Sequence, residues 1–183
     1  MRFDRRYIEK LIKPIEKRKA VATFTKEEYV ANPGNIWSRC WNINSYLPQD
    51  LHIDPNLGDE ANNFRAIGRD VFLKTKGYRD VGYGEDVTVL AQLPNIKSLV
   101  APGAVCYHYN PESLAEVFTS ARWMGRGELG LNPLIYLLPN SLRRGIWEVV
   151  KHKIPHFLLF KVVFDFGVLV GIIERKLGGG HAK

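Results

Sequence analysis

Glu85 and Asp86 stand side by side in GYRDVGYGEDVTVLAQLP, residues 77–94, behind a loop of glycines and tyrosines and ahead of an apolar run that Pro94 stops. Adjacent carboxylates at a helix start serve two chemistries. In a first turn they satisfy orphan N–H groups and complement the positive end of the dipole. On a rigid helix approached through a small-residue loop, a carboxylate is also placed to take a proton as general base. The two residues alone leave both readings open. Arg122 and Trp123, in TSARWMGRG, fit the surface and buried sides of an amphipathic helix. His108 ends an apolar run, a place that suits a hydrogen-bonded structural residue. Trp37 lies with Trp41 and Tyr46 in a polar stretch, residues 26–63, whose aromatics either plug a core or line a binding loop.

These side chains need elements to hold them. Tyr7, Ile8, Leu11, Ile12 and Ile15 recur at helical spacing behind Asp4, a cap candidate, and basic residues crowd the end of that helix. Residues 20–25 read as a strand. Residues 26–63 are too long for a simple connector and read as an irregular binding loop or lid. NFRAIGRDVFLKTKGY then predicts a strand at 64–67, a turn at Gly68, Asp70 as N-cap, a short helix and Gly77 at its C-terminal cap. In the next helix Val87, Leu90 and Ala91 share a face. SLVAPGAVCYHY gives two strand-like runs broken by Pro102 and Gly103, and a helix follows over about 112–127. Beyond Leu131 the chain shifts to long apolar runs punctuated by prolines. We therefore divide it into residues 1–130 and a basic, hydrophobic helical region, 131–183. Within that region Ile154–Ile173 has the length of a membrane span, but Lys161 and Asp165 interrupt it, four residues apart and able to pair. It reads as a helix in the cytoplasmic leaflet, with a buried core helix as the alternative.

A chain of 183 residues, 45% hydrophobic and 25% charged, is a folding chain rather than a disordered one. Its net charge of +7 is uneven: residues 1–20 carry eight Lys/Arg against three acids, residues 143–183 again eight against three, and the middle ten against thirteen. Basic ends around a mildly acidic centre suit an anionic membrane surface or phosphate ligands. No zinc-finger, basic-zipper or aromatic RNA-binding motif supports a nucleic-acid partner. Cys40 and Cys106 have no metal-ligand spacing, so a reducing compartment is expected. The N-terminus lacks the apolar core of a signal peptide, and GGGHAK reads as a frayed tail.

Taken in order, the strand, the Arg-Asp helix, GY, YGED, the apolar helix, YHY and ARW resemble the C-terminal, acceptor-side half of a family 2 glycosyltransferase of the GT-A fold. The resemblance covers roughly residues 1–130 and is most specific over 64–93. It implies an α/β fold, a partial Rossmann-like GT-A domain followed by a helical hydrophobic region. It also implies inverting sugar transfer from a nucleotide-sugar donor to an acceptor hydroxyl, with Asp86 as base. Glu85 would orient the loop or accept from a sugar hydroxyl, Arg122 would meet phosphate, Trp123 and Trp37 would contact substrate, and His108 would reach the metal. Thr119 stands where processive members carry glutamine. The complete enzyme would use a divalent ion, Mg or Mn. The sequence contains no Asp-x-Asp to hold one, so no ion is expected tightly bound to this chain. A late start codon, a split gene whose other chain supplies the donor half, or a noncatalytic remnant would each account for that. The expected partners are a glycan or lipid-linked acceptor and the membrane surface, and the expected location is the cytoplasmic face. The alternative function is a noncatalytic, membrane-associated glycan-binding partner.

Overall fold

The computed structural model describes residues 1–81, 83–127 and 132–178. The GGGHAK tail therefore lies almost wholly outside the described residues, as do Gly82 of the GYGED stretch and the predicted boundary at Leu131. The protein is mixed α/β. In chain order its elements are β1 (Arg2–Phe3), α1 (Tyr7–Glu16), β2 (Ala22–Phe24), β3 (Glu28–Val30), α2 (Ile36–Asn44), β4 (Glu60–Ala61), β5 (Ala66–Ile67), α3 (Arg69–Phe72), α4 (Glu85–Leu90), β6 (Ser98–Val100), β7 (Cys106–His108), α5 (Leu114–Arg126), a 3-10 turn (Pro133–Tyr136), α6 (Leu138–His152) and α7 (His156–Lys176). The chain forms two compact units. The first comprises Met1–Ala31, Leu47–Arg79 and Asp86–Tyr109, the second Asn32–Tyr46, Asp80–Glu85 and Asn110–Lys183.

Two small mixed sheets build the first unit, in the orders β4-β6-β2-β5 and β1-β7-β3. The parallel pairs are β2 with β6 and β3 with β7, so residues 22–30 run alongside 98–108 through both sheets. Parallel strands demand a long crossover, and residues 31–97 supply it. Phe24, Ala22 and Thr23 are buried, so β2 is covered on both faces. Helix α1 buries Tyr7 and Leu11, one turn apart, against Ala101, Ala104 and Cys106. Ile8 does not share that stripe and is 60% exposed, because a ten-residue helix lying on one surface buries only a narrow arc.

Local signals were displaced along the chain from the positions they announce. Asp4 accepts from the Arg6 amide at 3.0 Å, in a turn that precedes α1 rather than as its cap. Gly68 occupies the N-cap of α3, with Asp70 in the first turn. Helix α3 ends at Phe72, and Gly77 sits five residues on with φ +73°. In α4 the buried residue is Val89, while Val87 and Ala91 face outward. Residues 26–63, expected to be irregular, contain β3, α2 and β4.

Helix α7 organises the second unit. It packs on α5, α6 and α2, and its Phe157, Phe160, Phe164, Val168 and Ile172 join Cys40, Val117 and Ala121 in one core. Its contact with α5 is close because both surfaces are small: Ala121 and Gly125 face Gly167 and Gly171. A Cβ added at Gly167 would come within 2.9 Å of the Ala121 Cβ, and one at Gly125 or Gly171 would strike the opposite backbone. Lys161 and Asp165 are both buried and paired at 2.5 Å, one turn apart. By length and composition α7 is sufficient to cross a bilayer, with a mean hydropathy of 2.1 over its most apolar stretch, half of which is buried. One side of it packs into the core of the second unit.

Candidate functional site

In the first unit Asp86 lies in the opening turn of α4, exposed, with one carboxylate oxygen 3.0 Å from the Val87 amide. Gln92 fixes the loop before it. Its amide oxygen accepts from the Lys76 backbone N–H at 2.8 Å, while its Nε2 donates to Gly77 O at 3.2 Å and to Thr88 O at 2.8 Å. Thr88 Oγ1 accepts from the Arg79 amide at 3.1 Å. A glutamine with all of these partners acts as a clamp between the GY loop and α4. Sequence reasoning missed it, since an isolated glutamine near a helix end has no pattern to betray it. Glu85 opens α4, exposed, and is grouped with the second unit.

His108 belongs to a buried polar cluster. Alternation along β7 puts Cys106 and His108 on one face, and the register places Glu28 of β3 opposite Cys106. Arg65 takes both Glu28 oxygens, Nε at 2.6 Å and a terminal nitrogen at 2.8 Å. His108 Nε2 is 3.3 Å from Glu28 and its ring stacks on His52 at 4.1 Å. Burial alone would raise the Glu28 pKa, but His108 and Arg65 outweigh it and hold the acid at about 2. Burial pushes the Cys106 thiol up to about 11.

Donor atoms of Glu28, Cys106 and His108 lie within 4.8 Å of one another, so by distance the trio could hold a metal ion. Its chemistry does not fit Mg or Mn, which take oxygen ligands. The only carboxylate is already bidentate to a guanidinium, and the thiol is held in its protonated form. We read the cluster as the polar lock of the small sheet.

A cavity of about 480 Å³ opens beside α1 and is lined by Arg6, Lys10, Lys13 and Lys17, one stripe of that helix, together with Lys19. The one acid on its wall, Asp59, is paired with Lys26 at 2.8 Å. Such a lining suits a phosphate-bearing ligand.

In the second unit Tyr83, two residues before Glu85, packs edge-on against Trp123 with ring centroids 5.0 Å apart. Gly127 lies against the Tyr83 carbonyl, where a Cβ would come to 2.6 Å. The YGED loop and the ARWMGRG helix, separate in sequence, are thus in contact. Arg122 is turned away from any such pairing: it grips Glu174 of α7 with bonds of 2.5, 2.9 and 3.0 Å, and Arg126 adds another at 2.7 Å. Those two arginines hold the Glu174 pKa at about 2. Trp37 lies in α2, capped by Asn35, and meets the His156 ring edge-on at 5.8 Å at the margin of the core. Thr119 donates to the Ala115 carbonyl at 2.9 Å, inside α5.

No family model, curated protein or solved structure matches this chain.

Proposed function

We propose that the chain is the acceptor-side part of an inverting, family 2-like glycosyltransferase of GT-A type, working on a membrane-borne or glycan acceptor at the cytoplasmic face. The observation that supports the reading is the meeting of Tyr83 with Trp123, which joins two of the segments that carry the resemblance. The Gln92 clamp adds to it, because a base must sit on a loop and helix that do not wander.

In this mechanism the acceptor hydroxyl gives its proton to the Asp86 carboxylate as its oxygen attacks the anomeric carbon, and the nucleoside diphosphate leaves from the opposite face of the sugar. Asp86 is exposed, as a base that must receive an incoming acceptor has to be. A divalent ion, when bound, would offset charge on the departing diphosphate. None of the residues described above forms a fitting site for Mg or Mn, and the chain contains no Asp-x-Asp. The nucleotide-binding elements are therefore assigned to another segment or chain.

Asp86→Asn, assayed with those elements present, should lower turnover by about two to four orders of magnitude while donor binding persists. The isosteric amide keeps the contact to the Val87 amide, so folding should be unaffected. Near-normal turnover in the folded variant would leave Asp86 as a helix-start residue only. A second reading, a noncatalytic glycan-binding partner, is favoured by the commitment of Arg122 to Glu174 instead of to an open surface. The same assay separates the two, since the noncatalytic partner has no turnover to lose.

A further inference from the structure

Helix α6 is inside out. At about 100° per residue its buried side is Ser141, Gly145 and Glu148, whereas Leu142, Ile146, Val150 and Trp147 spread over an outward arc of about 140°. The contrast is large: Ser141 is 1% and Glu148 5% exposed, against 65% for Trp147 and 71% for Val150. The orientation is fixed from three sides. Gly145 lets α6 approach Leu158 of α7 so closely that a Cβ there would come to 2.7 Å, and Arg144 donates to the Asn44 carbonyl at 3.1 Å while covering the Tyr46 ring at 4.9 Å. Glu148 is held by His152 at 3.2 Å. Turning the apolar side inward would therefore bury Arg143, which lies within the same arc, and break these contacts. The preceding 3-10 turn continues the apolar surface with Leu134 and Ile135, both more than half exposed.

Charge identifies what covers this face. Between Asn132 and Lys153 the only acid is the buried Glu148, and Arg143, Lys151 and Lys153 are all exposed. A convex apolar helix bordered by cations and carrying a tryptophan matches a fluid anionic surface, into which side chains sink without a preformed groove. A second copy of the chain would bring like charges together. We infer that the 3-10 turn and α6 form an interfacial anchor that lies flat on an anionic bilayer, with the arc from Leu142 to Trp147 entering the headgroup–acyl boundary and Arg143, Lys151 and Lys153 meeting the lipid phosphates. The assignment moves the membrane contact from α7, where the sequence placed it, to its neighbour. It deepens the reading of a membrane-borne acceptor, but its test records lipid binding alone, so either can fail without the other.

The test is co-sedimentation of the full chain with vesicles of equimolar phosphatidylglycerol and phosphatidylcholine, and with phosphatidylcholine alone, at low and high salt. The wild type should bind the anionic vesicles, less at high salt and less without phosphatidylglycerol. Replacing Ile146, Trp147 and Val150 together by serine should reduce partitioning about tenfold or more, since the apolar area that enters the lipid is lost. Their exposure means the far-ultraviolet dichroism should not change. The pair Leu159→Ser and Phe166→Ser, on the exposed side of α7, should have a much smaller effect. Equal binding by the folded α6 variant, loss that follows the α7 pair instead, or no vesicle binding by the folded wild type would each overturn the anchor. So would self-association of the wild type that the α6 substitutions abolish without any lipid binding, which would make the occupant a second copy.

Discussion

At Glu28 burial favours the protonated acid, yet the Arg65 guanidinium and the His108 ring keep it ionised down to about pH 2. An unfolded glutamate titrates near 4.5, so the folded pKa is depressed and the native state holds fewer protons between those values. The stability this confers is fully present above about pH 4.5 and is lost progressively as pH falls through the folded value. A shift of this size corresponds to about 3 kcal/mol. Glu28→Gln should flatten that acid limb. It should also destabilise the protein by about 1 to 3 kcal/mol at neutral pH, because the buried Glu28 side chain gives up its charge-assisted bonds to a guanidinium that is itself partly open to solvent. Denaturant melts at several pH values check both, and an unchanged acid limb in the variant would remove the lock from Glu28. None of this was legible in the sequence: Glu28 and Arg65 are 37 residues apart, and only the crossover brings them together. Asp86 was legible as a helix-start carboxylate because its cue is local. Gln92 was not, because its partners lie across a loop.

Helices and strands with local signatures were readable, and those that depend on distant partners were not. The spacing of Tyr7 and Leu11 announced α1, and the run over about 112–127 announced α5, both close to their observed bounds. Residues 26–63 were misread because β3 and β4 are two or three residues long and exist only as additions to β7 and β6, while α2 is nine residues of mixed polarity. The tryptophans of α2 serve the core, with Trp41 edge-on to Phe164 at 5.5 Å. Helix α7 was ambiguous from composition, since a core helix and a membrane helix share it. In this fold it meets α5 along a small-residue seam, a packing that soluble and membrane helices share. Backbone cannot retreat there as a flexible side chain could, so Gly171→Leu should cost about 3 kcal/mol or more, at the upper end of overpacking. Gly34→Ala, where an added Cβ meets nothing within 4 Å, should stay within about 0.5 kcal/mol of wild type. Paired thermal melts give the comparison, and equal midpoints for the two variants would mean that the seam is loose in solution.

At the scale of the whole chain, the uneven charge seen in the sequence acquires a place in each unit. Cations of residues 1–20 line the cavity beside α1 in the first, and those after residue 143 border the apolar face of α6 in the second. Neither arrangement needs a metal, and the sequence contains no Asp-x-Asp. The two facts together separate anion binding from donor binding. Titration calorimetry with a panel of nucleoside-diphosphate sugars should show no saturable heat that depends on Mg or Mn. Inorganic pyrophosphate should instead give a weak, metal-independent signal that added salt suppresses, as expected where four lysines line a wall whose single acid is already paired with Lys26. Replacing Lys13 and Lys17 by glutamate should remove that signal without altering the fold, since both side chains line the cavity and are exposed, away from Tyr7 and Leu11. Tight, metal-dependent binding of any donor would contradict the assignment of the nucleotide-binding elements to another segment. A pyrophosphate signal that survives the double substitution would show that the cavity beside α1 is not where the anion rests.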